Sequence, residues 1–131
     1  HYVGDMMQTP PMVSAVKVKG VPLYKSARKG KTVEREPRLI HIYRFEILDF
    51  ALPEIRFAVE CTKGTYVRTL CHDVGADLGC GAHLSALRRT GAGKLKLEDA
   101  TPFDTVMAMS EAELKQVVLP LSRFAPGGAR G

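Results

Sequence analysis

The stretch that decides the fold is VECTKGTYVRTLCHDVG, residues 59–75. Just upstream and into it, Ile55, Phe57, Val59 and Cys61 alternate with Arg56, Ala58, Glu60 and Thr62, the period of a strand with one buried face. Beyond it, Val67, Leu70, Cys71, Val74 and Leu78 recur at helical spacing and predict a buried stripe. Thr65 stands where it can cap that helix, and Gly79 where it can stop it. A strand therefore ends at Cys61, the chain turns through Gly64, and a helix starts at about Tyr66. Such a corner presents side chains and free helix amides at the edge of a sheet, which suits an anion.

Working outward, LIHIYRFEILDF (39–50) is rich in β-formers but its apolar phase slips. Ile40 and Ile42 share one face, while Tyr43, Phe45 and Ile47 share the other, as in a strand with a bulge. With ALPE between them, this strand and the one ending at Cys61 read as an antiparallel hairpin. Before them, QTPPMVSAVKVKGVP (8–22) reads as an extended arm, because Pro10, Pro11, Gly20 and Pro22 do not suit a central strand. PLYKSARKG (22–30) follows as a short basic helix, with Lys25, Arg28 and Lys29 turned outward. After the central helix, GAHLSALRRTGAG (81–93) is expected to be a further strand. Two short helices follow, one from Thr101-Pro102 and one from Ser110, whose Glu113 completes an S-x-x-E capping box. The fold class expected is α/β in the α+β sense: a mixed, largely antiparallel sheet with flanking helices and a basic arm. Residues 1–121 are expected to form one domain, with the arm at 8–38, and 122–131 a disordered tail or the stub of an extension.

The totals fit this plan. A chain of 131 residues makes one domain and buries about two-thirds of the surface its unfolded form exposes. It is 45% hydrophobic and 25% charged, with no apolar run long enough to span a bilayer, so a membrane protein is not expected. Cys61, Cys71 and Cys80 are odd in number, without a CxxC pair, and read as reduced core thiols of a cytoplasmic protein. No signal peptide precedes them, and the opening on His1 suits a processed or cut chain.

Net charge is +5, and one segment supplies the excess. Between Lys17 and Arg44, nine Lys or Arg face only Glu34 and Glu36, giving +7, while the rest of the chain carries −2. A focused patch of this kind is the footprint of a polyanion binder, since each neutralised phosphate releases counterions. A solvated lysine-rich loop accounts for the charge equally well.

At the corner, Tyr66 can offer its ring as a stacking platform for an unpaired base, and Arg68 can pair with a carboxylate or phosphate. From the residues alone, Tyr66 as a core aromatic and Arg68 as a surface charge stands as an alternative. His72 and His83 lie outside any ligand spacing and read as structural.

Three blocks in order, QTPPMVSAVKVKGVPLYKSARKGKTVEREPR, KGTYVRTLCHDVGADLGCGAHLSALRRTGAGKL and TPFDTV, resemble the second half of the catalytic domain of the TruB family of bacterial tRNA pseudouridine synthases. The resemblance implies a pseudouridine synthase fold. It implies an isomerase that detaches the uracil of the T-arm uridine 55 of tRNA from its ribose, turns it and reattaches it through carbon, with no cofactor and no metal. The base must leave the stack, so a pocket with an aromatic wall is required. By resemblance, Tyr66 packs against the flipped base and Arg68 forms an ion pair with a catalytic aspartate, so these two are the expected catalytic residues. Leu87 lines the base pocket. The basic arm, with Lys17, Lys19, Tyr24, Lys25, Arg28 and Lys29, closes on the T stem-loop, and Lys63, Arg88 and Arg89 join it as RNA-binding residues.

The family's nucleophilic aspartate lies in a G-x-x-D-x-x-A-T-G-like block that these residues do not contain. Asp5 is expected in a loop, and Asp73 and Asp77 on a helix beside its buried stripe, so none replaces it. The expectation is therefore an enzyme part that is inactive alone and monomeric when complete, with its C-terminal extension absent or cut to a stub after Leu121. A tRNA T-arm binding module without chemistry is the alternative. A protein-interaction module is a weaker third, given the charge focus.

Overall fold

A computed structural model of the chain describes residues 1–11, 17–18, 21–22 and 36–124. In chain order its elements are β1 (Gly4–Gln8), β2 (Lys17–Val18), β3 (Val21–Pro22), β4 (Arg38–Ala51), β5 (Glu54–Cys61), α1 (Val67–Leu78), β6 (Gly91–Ala92), β7 (Leu95–Lys96), α2 (Phe103–Met107) and α3 (Glu111–Val117). They divide between two compact units, His1–Ala86 and Leu87–Gly131.

In the first unit a three-stranded sheet has the order β1-β4-β5, antiparallel throughout. The hairpin of β4 and β5 runs in register from Ile42 opposite Cys61 to Ala51 opposite Glu54. It is interrupted between Ile42 and Arg44 and again between Ile47 and Asp49. Those irregularities are the physical content of the phase slip in the sequence. Each extra residue turns the strand over, so Ile40 and Ile42 point inward before the first shift and Phe45 does so after it.

α1 covers this inward face. Ile40, Ile42 and Leu70, at 4%, 0% and 1% exposure, form the buried core, ringed by half-buried Tyr2, Met6, Phe45, Val59, Cys61 and Val74. Burial of each of the three central side chains contributes about 1.5–3 kcal/mol. The hairpin's buried face is confined to this end, because Ile47, Phe50 and Ile55, farther along it, are exposed.

Several expectations need correction. β1 was not foreseen: it is short and contains Gly4 and Asp5, residues of low β-propensity. Asp5 is therefore on a strand, not in a loop, and its Oδ1 lies 2.6 Å from Nδ1 of His41 on β4. Thr65 does not cap α1; its hydroxyl is committed to the turn, donating to the Thr62 carbonyl at 2.8 Å, and the N-cap is Tyr66. Leu78 is 68% exposed. The last turns of α1 bury Gly75 instead, against the returning backbone of Gly81 and Ala82. Gly79, at φ 81°, ends the helix as expected, and the Gly81 N–H donates to the Gly75 carbonyl at 2.9 Å. Of the thiols expected in the core, Cys61 and Cys71 are half-buried, but Cys80, just past the helix end, is exposed.

Within the arm, Lys17 pairs with Pro22 and Val18 with Val21 in a two-residue ladder. The basic helix expected over 22–30 lies, beyond Pro22, outside the described residues, as does 125–131 of the expected tail.

The strand expected over 81–93, which begins in the first unit and ends in the second, does not form. Its Gly, Ala and Arg residues offer no alternating apolar face to bury. Only Gly91–Ala92 pairs, with Leu95–Lys96, about Gly93 at φ 58°. Leu97–Asp99 makes a 3-10 turn, and α2 and α3 follow where the sequence places them. The capping box is present: the Glu113 N–H donates to Ser110 Oγ at 3.2 Å, and Glu113 Oε1 accepts from the Ser110 N–H at 3.4 Å. A second 3-10 turn, Leu121–Phe124, runs into the segment expected as a tail.

Candidate functional site

The corner between β5 and α1 is held from three directions. Thr62 prolongs the β4–β5 ladder past its last pair: its N–H donates to the His41 carbonyl at 2.9 Å, and its Oγ1 accepts from the His41 N–H at 3.0 Å. Thr65 closes the turn back onto Thr62 through both its hydroxyl and its N–H. Between them Gly64 takes φ 82°, a conformation open to glycine at little cost. Lys63 and Gly64 are left exposed at the tip.

Tyr66 is held through its backbone by a residue far away in the chain. Its N–H donates to Gln8 Oε1 at 2.7 Å, and its carbonyl accepts from Gln8 Nε2 at 3.0 Å as well as from the Leu70 N–H at 3.1 Å. Gln8 ends β1 and is 4% exposed. The side chain of Tyr66 is half-buried and that of Arg68 exposed. No acidic residue stands in the first turn of α1. The positive pole of the helix and the exposed Lys63 meet at this corner, with Arg68 in the helix's first turn, an arrangement that favours a negatively charged partner.

Of the residues singled out from the sequence, the corner brings together Lys63, Tyr66 and Arg68. Leu87, at 63% exposure, and exposed Arg88 and Arg89 belong to the second unit. Lys17 lies on β2, whereas Lys19, Tyr24, Lys25, Arg28 and Lys29 fall outside the described residues. His72, Asp73, Asp77 and His83 are exposed, and no group of three or more His, Cys, Asp or Glu able to hold a metal gathers among the described residues. Asp77 accepts a hydrogen bond from the Tyr2 hydroxyl. That bond, then burial, then the charges of Asp77 and Asp73 push the Tyr2 phenol up to about 12. Burial alone pushes the Cys71 thiol up.

Gln8 is the site residue that sequence reasoning missed. Its one local signal was phase, since it shares the inward face of β1 with Gly4 and Met6.

Two family models tile the chain and meet at this corner. Residues 1–67 match the TruB family pseudouridylate synthase (N terminal domain), and residues 68–124 match the tRNA pseudouridylate synthase B C-terminal domain. The fold is α+β with antiparallel strands, and the chain belongs to the TruB family. Tyr66 falls in the first matched region and Arg68 in the second. The chain is 56% identical to the tRNA pseudouridine synthase B of Opitutus terrae over 125 residues, 95% of this chain and 52% of that protein. It is 53% identical to that of Burkholderia lata over 128 residues, 95% of this chain and 40% of the relative. With that of Burkholderia mallei it shares 50% identity over 121 residues, 92% and 40% respectively. The chain thus spans about half, or less, of the length of the curated relatives it matches. Among the described residues no helix is long and apolar enough to cross a membrane.

Proposed function

We propose that these residues form the base-receiving corner and the RNA-gripping arm of a tRNA pseudouridine synthase that acts, as a monomer in the cytoplasm, on the T-arm uridine 55. The observation that carries this is the corner itself: a half-buried phenol and an exposed guanidinium on a turn fixed by Thr62, Thr65 and Gln8. A uracil out of its helix needs a flat wall, which the Tyr66 ring supplies. Detaching it needs a carboxylate nucleophile, and a guanidinium at Arg68 keeps such a group ionised through opposite charge. The block that carries this carboxylate in the family is not among these residues. Lys63 and the arm cations, Lys17, Lys19, Lys25, Arg28 and Lys29, meet the phosphates of the T stem-loop, with Tyr24, Leu87, Arg88 and Arg89 on the same RNA.

The test is isomerisation of a tRNA transcript by the natural gene product, with Tyr66→Ala alongside. One stacking contact is worth about 1–3 kcal/mol beside many phosphate contacts. Turnover should therefore fall far more than tRNA affinity, with Kd changing by less than about tenfold. Equal losses in both would contradict the role given to Tyr66. Binding of the T arm without any pseudouridine formed would leave the chain a binding module.

A further inference from the structure

Gln8 is the buried polar side chain among the described residues, and both ends of its amide are spent on a single residue's backbone. The N-cap of α1 makes no side-chain capping bond of its own. Gln8 instead holds that residue's N–H and carbonyl, so the direction in which the Tyr66 Cα–Cβ bond leaves the backbone is set from β1. The position of Gln8 in the sheet adds a second point. In the β1–β4 ladder it stands opposite Arg38, and residues 8 and 38 are the two ends of the basic arm. The residue at the root of the arm is thus the residue that orients the expected base wall.

We infer that Gln8 is a positioning residue for base capture: it fixes the Tyr66 ring against the everted uracil and ties that ring to the root of the RNA-gripping arm. This rests on the reading of Tyr66 as the base wall. An unpaired buried amide or peptide group costs about 1–3 kcal/mol, so loss of the clasp should cost about 5- to 150-fold in the step that needs the ring in place. Phosphate contacts are untouched by it.

The experiment uses the natural gene product and a T-arm hairpin with a fluorescent purine beside the target uridine, which brightens when its neighbour leaves the stack. Gln8→Leu fills a similar volume and can neither donate nor accept. With the variant shown to be folded by circular dichroism, the expected result is hairpin affinity within about threefold of wild type, brightening largely lost, and kcat reduced at unchanged KM. Gln8→Glu is the second variant. As a neutral acid it can accept from the Tyr66 N–H and donate to the Tyr66 carbonyl, as the amide does, but as a carboxylate it opposes that carbonyl. Its brightening and kcat, taken as ratios to wild type at each pH, should recover as pH falls, and every other titrating group is common to both proteins.

Unchanged brightening and kcat in folded Gln8→Leu overturn the inference, as does a loss confined to affinity, or a Gln8→Glu ratio that is flat with pH. If wild type itself fails to brighten the probe, the reading of Tyr66 falls, and the inference with it.

Discussion

A single hydroxyl near the chain start shows how a local bond becomes a titration. The Tyr2 phenol, held by Asp77, is raised from 10.0 to about 12. Because the folded form keeps its proton to higher pH than the unfolded chain, the stability tied to this bond is complete below pH 10.0 and is lost as pH rises through about 12. Tyr2 is half-exposed, so solvent screens the bond and the effect on stability is small. Tyrosinate absorbance followed against pH should show a late-ionising phenol, and Tyr2→Phe should remove that late step. A late step that persists in the variant would place the raised phenol elsewhere. Gln8 is also a matter of single atoms, and beyond its phase on β1 the sequence carries no sign of its partner. Its link to Tyr66 crosses 58 positions, and the pairing of β1 with β4 and of β4 with β5 brings the two together.

At the level of elements, α1 is where local and tertiary rules part. Replacing a helix glycine with alanine is worth up to about 1 kcal/mol of added stability where there is room for a methyl group. At Gly75 an added Cβ would lie 2.1 Å from the Ala82 nitrogen and 2.4 Å from the Gly81 carbonyl carbon. Backbone cannot swing aside as a side chain can, so Gly75→Ala should reverse the sign and destabilise by about 1–3 kcal/mol, read as a lower urea midpoint at constant slope. A neutral or stabilising result would mean that the segment after α1 does not pack as described. The same contrast explains what the sequence made legible. Alternation from Ile55 to Cys61 and the 67/70/71/74 spacing are local signals, and they placed β5 and α1 correctly. The cap at Thr65 and the burial of Leu78 failed because each depends on a neighbour: Thr65 answers to Thr62, and the last turns of α1 answer to Ala82. Lys63, Tyr66 and Arg68 could be read together as a candidate corner because they lie within six consecutive residues. The clasp that holds that corner could not be read this way.

For the molecule as a whole, the concentration of positive charge between Lys17 and Arg44 is what the proposed RNA grip depends on. If the arm cations meet phosphates, binding of a T-arm hairpin weakens steeply with salt. The Lys25, Arg28 and Lys29 triple alanine variant should flatten the slope of log Kd against log salt by about one for each phosphate no longer neutralised. Equal affinity for the triple variant, or a flat salt response in wild type, would remove RNA from the reading. The register of β1 on β4 carries a last consequence. Because Gln8 and Arg38 are partners across the ladder, everything between them enters and leaves the sheet at one rung. Doubling the length of such a loop costs only about 0.6 kcal/mol in closure entropy. Insertions, deletions and swaps of charge can therefore accumulate between residues 9 and 37 without moving β1 or β4 out of register, so that, if this segment is the proposed grip, the hand is free to evolve for new RNAs while the wrist stays the same.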